Sequence, residues 1–185
     1  MSAIRLLILG VLQRQQRPIH GYEIRRELEL WSANQWANIA YGSIYSALNK
    51  MAQEGLVQQT SPSEEPRSKP TARIEYTITP AGQTEFARLL REYWWENKTS
   101  VDPFQIALMY MDMLPRDELL LALRNRADLT RANLRSLRYF ITLKEGYPEV
   151  GRFVLENLGL MAAHVETELR WIEQTLEKVE RGELP

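Results

Sequence analysis

Two runs in the second half of the chain repeat mostly apolar residues at spacings of three and four. Leu120, Leu123, Ala127, Thr130, Leu134, Leu137 and Ile141 make the first, and Leu158, Met161, Val165, Leu169, Ile172, Leu176 and Val179 the second. Only a helix keeps such positions on one side, and a seam sustained this long marks helices that pack along their length. Gly146-Tyr147-Pro148 breaks the chain between them, so two long antiparallel helices are expected. Their apolar surface is more than one short chain can cover. A second copy is the natural cover, with Leu158, Met161, Val165, Leu169, Ile172 and Leu176 as the expected dimerisation residues.

The rest of the composition narrows the class. A chain of 185 residues makes one domain, or a small domain with an appendage. The absence of cysteine excludes disulfides, thiolate metal sites and cysteine nucleophiles. The longest apolar runs, Leu6 to Leu12 and Ile106 to Met111, are too short to cross a bilayer. Arg5 ahead of the first run faintly resembles a signal peptide, but the run passes into Gln13-Arg14-Gln15-Gln16-Arg17 with no small-residue cleavage site. A soluble cytoplasmic protein is expected. A small enzyme would need a nucleophile, a metal site or a phosphate cradle. The chain has no glycine-rich loop and only two isolated histidines. His164 and Glu168 stand at the i, i+4 spacing of a metal pair but lack a third ligand. No cofactor, metal or catalytic residue is expected.

The first half follows the order helix, helix, helix, hairpin. Ile4, Leu7, Ile8, Val11 and Leu12 recur at helical spacing, which predicts an amphipathic helix over 3–13. A second helix is expected from His20-Gly21-Tyr22 to about Leu30, with Tyr22, Ile24 and Leu28 buried. Residues 31–41, with Trp31 and Trp36, form a polar connection. A third helix opens at Tyr41-Gly42-Ser43 and closes at Gly55, a good C-cap. Ile44, Ala47, Leu48 and Met51 share one of its faces; Ser43, Ser46, Asn49, Lys50 and Gln53 share the other. The second face carries small hydrogen-bonding groups, one cation and no acid, which suits base edges and phosphates in a major groove. Strand-like segments at 56–60 and 73–79 follow. The proline-rich stretch 61–72 between them is expected to be a hairpin tip that places cations at Arg67 and Lys69, with Arg73 on the return strand. Three helices and a two-stranded hairpin make a winged helix-turn-helix, with wing cations on phosphates or in the minor groove.

Gly42-Ser43-Ile44-Tyr45-Ser46-Ala47-Leu48, then Met51, Gly55-Leu56-Val57 and Tyr76-Thr77-Ile78-Thr79-Pro80-Ala81-Gly82 resemble the PadR family of bacterial transcriptional regulators. Leu7 to Leu12 and His20-Gly21-Tyr22-Glu23-Ile24 look like that family's first two helices. The likeness covers residues 4 to about 90, and the second half looks more loosely like the long helical C-terminal domain of the larger PadR subgroup. The resemblance implies a dimeric regulator, a repressor by preference, that binds a palindromic operator and responds to a small molecule. It implies DNA contacts at Ser43, Tyr45, Ser46, Asn49 and Lys50, and Tyr22 joins them as a candidate. The long wing tip departs from the family by carrying Glu64-Glu65, which would repel phosphate.

Thr79-Pro80 starts a fourth helix that runs to about Asn97, and Asp102-Pro103 starts another that ends near Leu114. Tyr93, Trp94, Trp95 and Phe104 are candidates for an effector pocket or the core of a dimer. The expected division is a DNA-binding domain over 1–82 and a helical dimerisation domain over 83–185. Nine Lys+Arg against seven Asp+Glu give the first +2, and fourteen against seventeen give the second −3. The alternative to a regulator is a winged-helix adaptor for protein partners, favoured by the near-neutral charge and the acidic wing tip.

Overall fold

Ile8, Leu9, Val11 and Leu12 are all at most 1% exposed, and Gly10 between them is buried too. Five consecutive helical residues point in every direction around the axis. Helix α1 (Ser2–Gln15) is therefore enclosed rather than laid on a surface, and the expected amphipathic helix is corrected to a central one. The computed structural model describes residues 2–37, 39–60, 74–96 and 101–185. It falls into two compact units, Met1–Lys98 and Thr99–Pro185.

In the first unit α1 touches helices α2 (Gly21–Leu30), α4 (Ser43–Gln53) and α5 (Pro80–Trp95) and strand β3 (Glu75–Ile78). A short helix α3 (Ala33–Trp36) lies in the segment expected to be irregular. The Trp36 indole N–H donates to the Trp31 carbonyl at 3.0 Å, which folds that segment on itself. The expected two-stranded wing is a three-stranded antiparallel sheet of order β1-β3-β2, built from β1 (Ile19–His20), β3 and β2 (Val57–Thr60). Two residues are too few to show a period of two, so β1 has no signature in the sequence. Gly55, at φ +72°, turns the chain from α4 into β2, and the Leu56 N–H reaches back to the Met51 carbonyl.

Thr79 caps α5 by accepting from the Gly82 N–H at 3.1 Å, with Pro80 in the first turn. The compact unit runs past residue 82, the expected boundary, because α5 packs on α1: a Cβ on Gly10 would stand 3.2 Å from the Phe86 ring.

The second unit is built on α7 (Arg116–Glu145) and α8 (Arg152–Glu180). They run antiparallel around Leu119, Leu123, Ala127, Leu134, Leu169, Ile172 and Val179. At the start of α7 Leu119 takes the buried position and Leu120 is only partly buried, one residue out of the expected phase. Ion pairs flank the seam, Arg131 with Glu173 at 2.7 Å and Arg138 with Glu166 at 3.0 Å. Arg116 donates to the Val179 and Glu180 carbonyls at the end of α8, tying the start of α7 to it. Helix α6 (Pro103–Leu108) stops short of the expected Leu114. The chain leaves the helical region at Tyr110 and tightens into a 3₁₀ turn over Met111–Met113, which brings Met111 against the α7–α8 core.

Two glycines test this packing from opposite sides. A Cβ on Gly82 would overlap the Leu56 carbonyl oxygen, whereas one on Gly159, midway along α8, meets nothing. Gly82→Ala is expected to lower stability by about 1–3 kcal/mol. Gly159→Ala is expected to raise it by up to about 1 kcal/mol. Denaturant unfolding of both variants checks the signs.

Candidate nucleic-acid interface

Ile44, Leu48 and Met51 tie α4 into the first unit, so its opposite side must face outward. Ser43, Tyr45, Ser46, Asn49 and Lys50 are exposed there, as is Gln53, and α4 carries no carboxylate. The Ser43 hydroxyl donates to the Ala40 carbonyl at 2.6 Å, so its proton is held in the turn before the helix. The Tyr45 ring lies over the start of α2. A Cβ on Gly21 would stand 2.7 Å from Tyr45 Cε1, so glycine permits that approach.

Tyr22 is 54% exposed, not buried as its helical spacing suggested. The buried line of α2 is Gly21, Ile24 and Leu28, and Tyr22 projects about 100° away from it. Its ring stacks on His20 at 5.5 Å. His20 sits at the entrance of α2 as expected. Its backbone N–H donates to Glu23 at 2.9 Å, and its ring Nδ1 lies 3.3 Å from the Ile74 carbonyl oxygen. Its Nε2 is 3.7 Å from the Glu75 carboxylate. Together His20, Tyr22, Tyr45, Asn49, Ile74 and Tyr76 bound a concavity of about 530 Å³ between α4 and the sheet. Tyr76 forms its floor. Burial pushes its hydroxyl pKa up and nearby Tyr45 adds to this, against a hydrogen bond from the Gln59 side chain.

Gln59 is a residue the sequence did not single out. Its Nε2 donates to Asn49 Oδ1 at 3.2 Å, joining strand β2 to the outward face of α4. No motif or periodicity marks it, since the contact depends on how the strand is aimed at the helix. Arg67, Lys69 and Arg73, and the acids Glu64 and Glu65, lie outside the described residues.

The other candidates fall in two places. Tyr93, Trp94 and Trp95 end α5 in the first unit and are exposed, the two tryptophans at 76% and 83%. Phe104 opens α6 in the second unit, with the Arg126 guanidinium 3.5 Å over its ring and Trp171 edge-on at 5.9 Å. Beside it runs a groove of about 350 Å³ lined by Phe104, Leu108, Met111, Leu119, Arg126 and Leu129 among others. Glu168, the partner of His164 in the metal spacing, accepts from Arg126 at 2.6 Å.

Among the expected dimerisation residues, Leu158, Leu169 and Ile172 are buried within the chain, and Val165 and Leu176 pack against the α7–α8 core. Met161 is half-buried. The heptad seam of α8 is therefore occupied by α7, and a second copy cannot reach those three residues without parting the two helices. Exposed instead are Phe153, Leu160 and Trp171. Their spacings of seven and eleven set them within about 20° of one line along α8.

A helix-turn-helix whose outward helix stands beside a β-hairpin defines a winged-helix fold. Residues 8–88 match the model of the Transcriptional regulator PadR-like family. No curated protein matches the chain in sequence. Among solved structures, Bacillus subtilis PadR in complex with operator DNA is similar at a TM-score of 0.73 and 20% identity, over 97% of this chain and 98% of that one. The Bacillus subtilis PadR complex with p-coumaric acid is similar at 0.72 and 18%, over 96% of each chain. The Vibrio cholerae virulence activator AphA is similar at 0.70 and 20%, over 96% of this chain and 98% of that one. At these identities the likeness is one of fold, and it extends through both units. Among the described residues no helix is long and apolar enough to cross a membrane.

The Glu23 carboxylate closes the cap under the concavity. Burial pushes its pKa up, but the His20 N–H and the Arg17 guanidinium outweigh this and hold it below the ordinary value. A depressed carboxylate stabilises the fold above its unfolded pKa, and that contribution is lost as pH falls through the folded one. Glu23→Gln is expected to cost about 1 kcal/mol at neutral pH. Thermal melts at pH 7 and pH 3 should show the gap between variant and parent closing in acid.

Proposed function

We propose that the chain is a sequence-specific DNA-binding regulator, a repressor that acts as a homodimer on a palindromic operator and answers to a small molecule. The observation that carries this reading is the outward face of α4. It is exposed, acid-free and lined by Ser43, Tyr45, Ser46, Asn49 and Lys50. Such a helix presents donors and acceptors to base edges while a cation meets phosphate. Tyr22 and Tyr45, at the rim of the concavity, take the sugar-phosphate strand. Arg67, Lys69 and Arg73 extend the contact along the wing. The similar Bacillus subtilis protein, solved with operator DNA, supports the assignment.

The first unit serves as the reading head and the second as the dimerisation and effector unit. A two-fold axis would set two α4 helices one turn of DNA apart, roughly 34–36 Å, which calls for a palindrome. The line of Phe153, Leu160 and Trp171 supplies apolar surface for the second copy. For the effector, the groove beside Phe104 and the aromatic end of α5 are the candidate seats. A related fold solved with p-coumaric acid supports a small-molecule response. The protein acts in the cytoplasm, where its operator is.

Selection from a random duplex pool tests the reading: a palindromic consensus is expected, and no enrichment by the folded protein overturns it. Lys50→Ala should weaken binding alike for all sequences and reduce the slope of log affinity against log salt by about one. Ser46→Ala should relax preference at one base pair, by about 1 kcal/mol or more. For the dimer, Leu160→Glu combined with Trp171→Ala should shift sedimentation towards the monomer.

A further inference from the structure

The link between β2 and α4 has a consequence for which base the helix reads. Gln59 pairs across the sheet with Tyr76. Tyr76 is 4% exposed and faces α4 over the concavity, and cross-strand neighbours project from the same side of a sheet. The Gln59 side chain is therefore aimed at α4. There its Nε2 donates to Asn49 Oδ1 at 3.2 Å.

An asparagine amide on an exposed helix face turns freely about its last bond and can present oxygen or nitrogen in either sense. Here a donor approaches its oxygen from the strand side. That fixes Oδ1 towards β2 and leaves Nδ2 on the other side, with no hydrogen bond among the described residues. Oδ1 keeps a second lone pair. A fixed carbonyl and a fixed amide nitrogen side by side match the N6 donor and N7 acceptor of adenine.

We propose that Gln59 is a positioning residue for DNA reading: its donor orients the Asn49 amide and thereby sets a preference for adenine at one base pair of each half-site. This rests on the proposal that α4 reads a duplex. The Asn49 amide alone would bind adenine with the rotational freedom of a surface side chain. The Gln59 donor removes that freedom before the DNA arrives.

The test uses the full chain and duplexes selected by the parent protein, with the four bases substituted in turn at the pair that Asn49→Ala identifies. Gln59→Ala is expected to reduce the adenine preference there at least threefold and to leave the other positions unchanged. The salt slope should stay the same, because no charge is removed. Gln59→Glu keeps the side-chain size but removes the donor. It should lose the same preference, whereas a residue that merely packs would retain it. Asn49→Ala with Gln59→Ala should be no worse than Asn49→Ala alone at that pair, since the strand residue acts only through the helix residue. Melting curves confirm that each variant is folded.

Full adenine preference in Gln59→Ala, or independent additive losses in the double variant, would overturn the proposal while operator reading stands. A parent protein that selects no sequence at all overturns the reading of the interface, and this proposal with it.

Discussion

The enclosure of α1 is the constraint on which the first unit depends. Its central residues leave water on every side of the axis, at about 1.5–3 kcal/mol for each large side chain. A helix buried all round needs partners all round, and α2, α4, α5 and β3 supply them. Each of those elements has one side committed to α1 and its surroundings. For α4 the committed side is Ile44, Leu48 and Met51, which forces Ser46, Asn49 and Lys50 outward. The exposed polar face of α4 is thus the remainder after the core is satisfied. The wing is held to the same frame through the close approach of Gly82 to the Leu56 backbone and through the cap at Thr79.

The second unit rests on a simpler condition, two long helices that shield one seam between them. The flanking arginine–glutamate pairs are largely exposed and add little energy; their use is in setting register, since each joins α7 to one position along α8. Once the seam is filled, what remains for association is the apolar residues on the outer sides. Those residues do not follow the heptad.

The fold was legible wherever one period ran long enough. The helices α2, α4, α5, α7 and α8 follow from apolar spacing together with end signals at Gly55, Thr79-Pro80 and Gly146-Tyr147-Pro148. Where the pattern misled, the cause was the surroundings. Helix α1 has the spacing of an amphipathic helix, and only the number of elements packed around it shows that its other sides are buried as well. Tyr22 fits the helical spacing of α2, yet the line through Gly21, Ile24 and Leu28 takes the core. Leu158, Leu169 and Ile172 were visible as a seam. A seam does not say whether its partner is the same chain or another.

Of the candidate interface, Ser43, Tyr45, Ser46, Asn49 and Lys50 could be chosen from sequence because one helix orders them by a fixed angle per residue. The helical identity of most of the chain, the outward polar face of α4 and the positions of its breaks were determined by sequence alone, because they rest on contacts within a few residues of each other. Tertiary structure decided what depends on distant segments meeting. It paired Ile19–His20 with the sheet, spread Tyr45 over Gly21, and filled the α8 seam with α7. It also aimed Gln59 at Asn49, ten residues away along the chain and 3.2 Å away in space, through a turn at Gly55 whose direction no local pattern records.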